Sequence, residues 1–170
     1  SVAEDLAKIK QEIAKGTLEK DEELARSLAD QFAAIQPLLM SDDADWVKAM
    51  VGPHLINHGH KQVLAGNLPR AVENMDKAID KVGIRGAQNE ADFKQWRERY
   101  KAWDPVWRET KEKRLRPIDT MLGKHQIIQA RGHLESLEYQ MLKDPVRSLP
   151  PAVEDPEFVR IKKRLEELQK

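Results

Sequence analysis

Residues 53–85 constrain this chain more than any other stretch, because they read as two helical arms with a break between them and a stop at the end. The first arm carries Leu55, Ile56, Val63 and Leu64 and is bounded by Pro53 and by Gly66-Asn67. The second carries Leu68, Ala71, Val72, Met75, Ile79 and Val82, steps of mostly three and four that place them on one helical face. Gly66 suits the left-handed conformation that ends a helix, and Pro69 falls where a first turn tolerates proline. Gly83 then stops the second arm. The expectation is an antiparallel helical hairpin.

The flanking segments are read as helices too. Val2, Leu6, Ile9 and Ile13 form an apolar stripe that ends at Lys15-Gly16. A second helix starts near Asp21, shows Leu24, Leu28, Phe32 and Ile35 on one face, and closes at Pro37. Leu38-Leu39-Met40 is expected to pack into the core. Ser41-Asp42-Asp43 offers capping oxygens to a helix carrying Trp46, Val47 and Met50. Beyond a loop at 86–89, Arg116-Pro117 opens a helix with Ile118, Met121, Leu122, Ile127 and Ile128, which is expected to end at Arg131-Gly132. Its partner runs from about Leu134 to Lys143. Pro145, Pro150 and Pro151 make a stiff connector, and Asp155-Pro156 starts a last helix with Phe158, Ile161, Leu165 and Leu168.

An aromatic seam lies between these blocks. Phe93, Trp96, Tyr100, Trp103 and Trp107 are spaced by three and four residues. Pro105 interrupts the seam, so a break is expected near Asp104-Pro105, with Asp104 capping the second piece. Residues 94–116 hold nine basic and four acidic side chains. Aromatics at this spacing are most often core. The same seam can also serve as a partner face, for which Trp96, Arg97, Tyr100, Trp103, Trp107 and Arg108 are the candidate residues, or stack RNA bases.

The hairpin phrase LINHGHKQVLAGNLPRAVENMDKAIDKVGIR resembles a pentatricopeptide repeat, and its Gly59 and Ala71 also fit the tetratricopeptide pattern. In that resemblance Gly66 and Leu68 form the turn, Ala71 is the small residue where the helices touch, and Gly83-Ile84-Arg85 matches the closing phrase. A second copy is read at 132–141, where Gly132 and Leu134 restate Gly66 and Leu68 and Tyr139 and Met141 supply the bulk. The resemblance implies an all-α fold, a short array of antiparallel helical hairpins forming a pentatricopeptide- or tetratricopeptide-like α-solenoid without strands. One domain over 1–170 is expected, divided into N-terminal helices (1–52), a repeat-like hairpin (53–85), an aromatic and basic hairpin (88–116), a second repeat-like hairpin (117–143) and a C-terminal helix (155–170).

Charge and composition narrow the function classes. The 29 Lys and Arg balance the 29 Asp and Glu, so no global field recruits nucleic acid or an anionic membrane. No apolar run is long enough to span a bilayer, and the absence of cysteine removes disulfides and thiolate chemistry. His54 and His58 stand four apart, a spacing that can share a metal ion, but no third ligand accompanies them and no Glu follows His54. They are read as ordinary helix-surface histidines. No nucleophile elbow or phosphate loop occurs, so the chain is read as a non-enzyme without cofactor.

Size, helical-repeat character and a Met-less Ser1 that fits presequence removal also make the chain similar to the pentatricopeptide-like eighteen-kilodalton accessory subunits of euglenozoan mitochondrial ATP synthase. That resemblance implies docking on the outside of the catalytic head, at the alpha subunit, on the matrix side of the inner membrane, without membrane insertion. RNA binding in an organelle, the usual work of the pentatricopeptide family, is the alternative.

Overall fold

The computed structural model describes residues 1–143 and 155–170, with side chains described for 1–140 and 155–170. The proline connector expected at 145–151 lies outside the described residues. All the regular structure described is helical; no strand occurs among the described residues.

The N-terminal helices form for the local reasons the sequence offers. In α1 (Val2–Ala14) the Ser1 hydroxyl accepts from the Glu4 amide and Glu4 reaches back, a reciprocal cap. Gly16, at φ 68°, ends the segment. In α2 (Glu22–Ile35) the Asp21 carboxylate accepts from the Leu24 amide at 3.0 Å, and Leu28, Phe32 and Ile35 turn inward. A 3-10 turn at Gln36–Leu38 holds Pro37. Leu38-Leu39-Met40 corrects an expectation: Leu38 is 70% and Met40 76% exposed, and only Leu39 leans on the core. The 3-10 turn closes in three residues, too few to fold three consecutive side chains to one side.

Pro53 does not start a helix. It lies inside α3 (Ser41–Leu64), which joins the segment carrying Trp46 to the first arm of the hairpin. A proline in a helix interior costs about 3 kcal/mol. Here that loss is set against Val47, Val51 and Leu55, one continuous buried stripe that a break at 53 would divide. The second arm is α4 (Leu68–Asp76), which passes into a π-helical turn at Lys77–Val82. Gly83, at φ 88°, closes it, and the Ile84 amide donates to the Ala78 carbonyl at 2.9 Å. Gly66, at φ 80°, makes the turn between the arms, as the sequence suggests.

Pro105 does not break its helix either. α5 (Ala87–Thr110) continues through it, then through a π-helical turn at Lys111–Leu115, into α6 (Arg116–Gly123). Asp104 pairs with Arg108 at 3.0 Å and caps nothing, because no new N-terminus exists there. The reversal before α7 (Ile127–Lys143) is made by Lys124-His125-Gln126, with His125 at φ 58°. Gly132 therefore lies inside α7 and is not the turn of a second repeat. The hairpin expected over 117–143 exists, but its turn falls seven residues earlier than the glycine suggested. α8 (Pro156–Leu168) starts as read, with the Asp155 carboxylate accepting from the Glu157 and Phe158 amides.

Where the sequence suggests one domain, the described residues group into two compact units, each with its own core. The first comprises residues 1–64 and 69–97. In it α2 packs against α1, α3 and the π turn of α4, around Ile9, Leu28, Phe32, Val47, Val51, Leu55 and Val82. The second comprises 65–68, 98–143 and 155–170. In it α6, α7 and α8 pack together around Trp107, Leu115, Ile118, Leu122, Leu137, Phe158 and Ile161. The fold is all-α, with neighbouring helices packed in pairs.

Candidate functional site

The aromatic seam is mostly consumed by the two cores. In the first unit Phe93 and Trp96 are buried, and the Trp96 indole meets the edge of His60 at a centroid distance of 4.9 Å. A Cβ on Gly59 would stand 3.3 Å from the Trp96 ring, so that glycine admits the indole against α3. In the second unit Trp103 stacks between Tyr100 (5.7 Å) and Trp107 (6.4 Å), and Trp107 is buried. Of the six residues offered as a partner face, Trp96 and Trp107 are thus in cores and Tyr100 and Trp103 are half-buried. Arg97 and Arg108 are on the surface; the Arg97 guanidinium lies 5.0 Å from the Phe93 ring centre. The buried rings of Trp96 and Trp107 cannot stack bases.

The histidines are positioned by α3. His58 is 5% exposed, and its Nε2 lies 2.6 Å from the Leu18 carbonyl. A carbonyl oxygen only accepts, so Nε2 carries the proton and offers no lone pair to a metal. The burial of His58 corrects its reading as a helix-surface histidine. No group of three His, Cys, Asp or Glu side chains gathers around a metal position among the described residues.

Three polar clusters hold helices in register. Glu22 of α2 accepts from Gln62 Nε2 at 2.9 Å, Arg70 Nε at 2.9 Å and Asn74 Nδ2 at 3.0 Å. Asn74, fully buried, accepts in turn from Arg26 at 3.0 Å. Burial alone would raise the Glu22 carboxyl; the hydrogen bonds from Gln62, Arg70 and Asn74 outweigh it and hold the group below its ordinary value. In the second unit Asp155 Oδ2 accepts from Trp107 Nε1 and from Lys111 Nζ, each at 3.2 Å, while Oδ1 caps α8. Asp119 of α6 takes Arg164 at 2.8 Å and Arg160 at 3.1 Å. Both carboxyls are likewise pushed up by burial and held below the ordinary range by their donors. These clusters tie neighbouring helices together within each unit.

One apolar surface that stays exposed among the described residues is on α3. Ala44, Val47, Val51, Leu55 and His58 form its buried stripe. Trp46, Ala49, Met50 and Pro53, also spaced by three and four, form a second apolar stripe that stays exposed; Trp46 is 41% and Met50 39% accessible. At the N-terminal end of the helix stand the exposed side chains of Leu38 and Met40. Lys10 of α1 lies 5.7 Å from the Trp46 ring centre and pairs with Asp43 at 3.1 Å. Sequence reasoning placed Trp46, Val47 and Met50 on one helix without separating its faces, and so missed this stripe. The signal was present: 47 and 51 belong to one helical register, 46, 49, 50 and 53 to the other.

No helix among the described residues is long and apolar enough to cross a membrane. No family model matches the chain, and neither a curated protein nor a solved structure matches it.

Proposed function

We propose that this chain is a non-catalytic accessory protein that docks on a larger protein assembly. The observation that carries the reading is the second apolar stripe of α3: a helix whose inward face is already filled keeps Trp46, Ala49, Met50 and Pro53 facing solvent. Exposed apolar side chains scattered singly need no explanation, but a periodic strip with Trp and Met at its centre is the composition of an interface. In its more specific form the assembly is a mitochondrial ATP synthase in the matrix, with the contact on the alpha subunit outside the catalytic head. Support for that form is the sequence resemblance.

The test is affinity capture with the full chain from mitochondria, washed at high salt with and without ribonuclease. Stoichiometric recovery of ATP synthase alpha and beta subunits, insensitive to both treatments, supports the specific form. Stoichiometric recovery of another defined complex keeps docking and removes ATP synthase. Recovery only of transcripts, lost on ribonuclease treatment, replaces docking by RNA binding.

A further inference from the structure

The strip on α3 has a charge pattern as well as an apolar one. Asp42 and Asp45 are exposed in the first turns of the helix and make no ion pair among the described residues. Asp43, between them, is already paired with Lys10. The apolar strip runs from Trp46 to Pro53, a length of about 10 Å at 1.5 Å per residue, which matches two turns of a partner helix. Carboxylates near a helix N-terminus also stabilise the helix itself, so their presence alone signals nothing. Their position beside an exposed Trp and Met strip does.

Resting on the docking reading above, we infer that the α3 face of Trp46, Ala49, Met50 and Pro53 receives an amphipathic helix of another protein whose apolar stripe is edged by Lys or Arg. The apolar centre supplies the contact area. Trp46 is a broad rigid anchor and Met50 an adaptable one. Asp42 and Asp45 supply the selection, since cations opposite them gain partners and carboxylates opposite them are repelled. A second copy of this chain is a poorer occupant: it brings the same carboxylates, and Lys10 beside them is committed to Asp43 and Trp46. The recognition mode is that of a helix laid on a groove-like face, with anchors at i, i+3, i+4 and i+7.

The experiment titrates the isotopically labelled full chain with two synthetic eighteen-residue helical peptides that share one leucine stripe, one edged by Lys and one by Glu. Amide shifts and affinity are read by NMR. The expected result is that the Lys peptide shifts amides in 38–53 and binds at least ten-fold tighter than the Glu peptide. Met50→Glu, which lies on the surface and leaves the melting curve unchanged, weakens the Lys peptide at least ten-fold. The paired variant Asp42→Asn with Asp45→Asn, which leaves the apolar strip intact, removes the preference between peptides. Absence of binding, equal binding of both peptides, or shifts centred elsewhere would overturn the inference. So would a concentration-dependent dimer abolished by Met50→Glu, which would make the strip a self-interface. If affinity capture recovers the same complex with wild type and Met50→Glu, docking stands and this face is not the dock. If wild type recovers no stoichiometric protein partner, the docking reading itself fails.

Discussion

Ile84 occupies the space that a side chain on residue 52 would need: a Cβ built on Gly52 would lie 2.2 Å from Ile84 Cγ1 and 2.4 Å from its Cδ1. Gly52 is buried in the middle of α3, one residue before Pro53, and Ile84 follows the glycine that ends the π turn of α4. This contact brings the segment after the second arm of the hairpin against the first.

Gly52→Ala is therefore expected to destabilise the first unit, although alanine is the better helix former by about 1 kcal/mol. Overpacking of this kind costs about 1–3 kcal/mol, and the obstructing Cγ1 is close to the branch point of Ile84 rather than at a free end. Urea denaturation should show a net loss of up to about 2 kcal/mol. Combining it with Ile84→Ala should cost less than the sum of the two single changes, because the shortened side chain vacates the space.

Gly132→Ala should do the opposite. A Cβ there meets nothing within 4 Å, and the residue sits inside α7 with no positive φ. Replacing an unneeded helix-interior glycine should raise stability by about 0.5–1 kcal/mol, read as an increased denaturation midpoint. A loss would return residue 132 to a turn.

Asp155→Ala removes the cap of α8 and leaves the Trp107 indole N–H and the Lys111 ammonium without their shared acceptor. A cap is worth about 1 kcal/mol and an orphaned, partly buried donor about 1 kcal/mol more, so a loss of about 2 kcal/mol is expected. Asp155→Asn should lose less, since an amide oxygen still caps the helix. Chemical denaturation of the three proteins side by side gives the order.

Acid should weaken the fold through Glu22, Asp119 and Asp155. Each has a folded pKa below its ordinary value. Their contribution is complete above the ordinary carboxylate range, near pH 4, and is lost as pH falls through it toward the depressed folded values. A stability profile from pH 7 to pH 2 should decline across that window, and Glu22→Gln should flatten part of it.

Asp76 runs the other way. Burial raises its pKa, and a hydrogen bond and like charge from Asp80 raise it further. Its protonated form suits the fold, so its contribution is full below the ordinary Asp value and falls as pH rises through the raised one. Asp80→Asn should raise stability near pH 7 by a few tenths of a kcal/mol, as for other like-charge pairs four apart on a helix. The gain should vanish well below the ordinary Asp range, where Asp76 is protonated and its charge is gone. Melting temperatures of both proteins at the two pH values check it.

Much of the helical layout was legible because its signals are local. The Asp21 and Asp155 caps, the left-handed Gly16, Gly66 and Gly83, and the apolar periods of α1, α2 and α8 each act through neighbours within one turn. The candidate site was less legible. The seam at 93–107 was readable as aromatic and helical, yet nothing local says which rings enter a core. The exposed strip of α3 was hidden because two apolar registers overlap on one helix, and only the packing of α2 and α4 against one of them distinguishes the other.

The sequence by itself determined an all-α chain, the helix starts at Asp21 and Asp155, and the hairpin turn at Gly66. Tertiary structure decided where helices do not stop: at Pro53, where about 3 kcal/mol of local cost is set against the buried stripe of Val47, Val51 and Leu55, and at Pro105, through which α5 continues. It also moved a turn from Gly132 to His125, because a glycine permits a left-handed residue without requiring one. Breakers state a preference of a few kcal/mol at one residue; burial along a whole helix face sums over many, and the larger sum prevails.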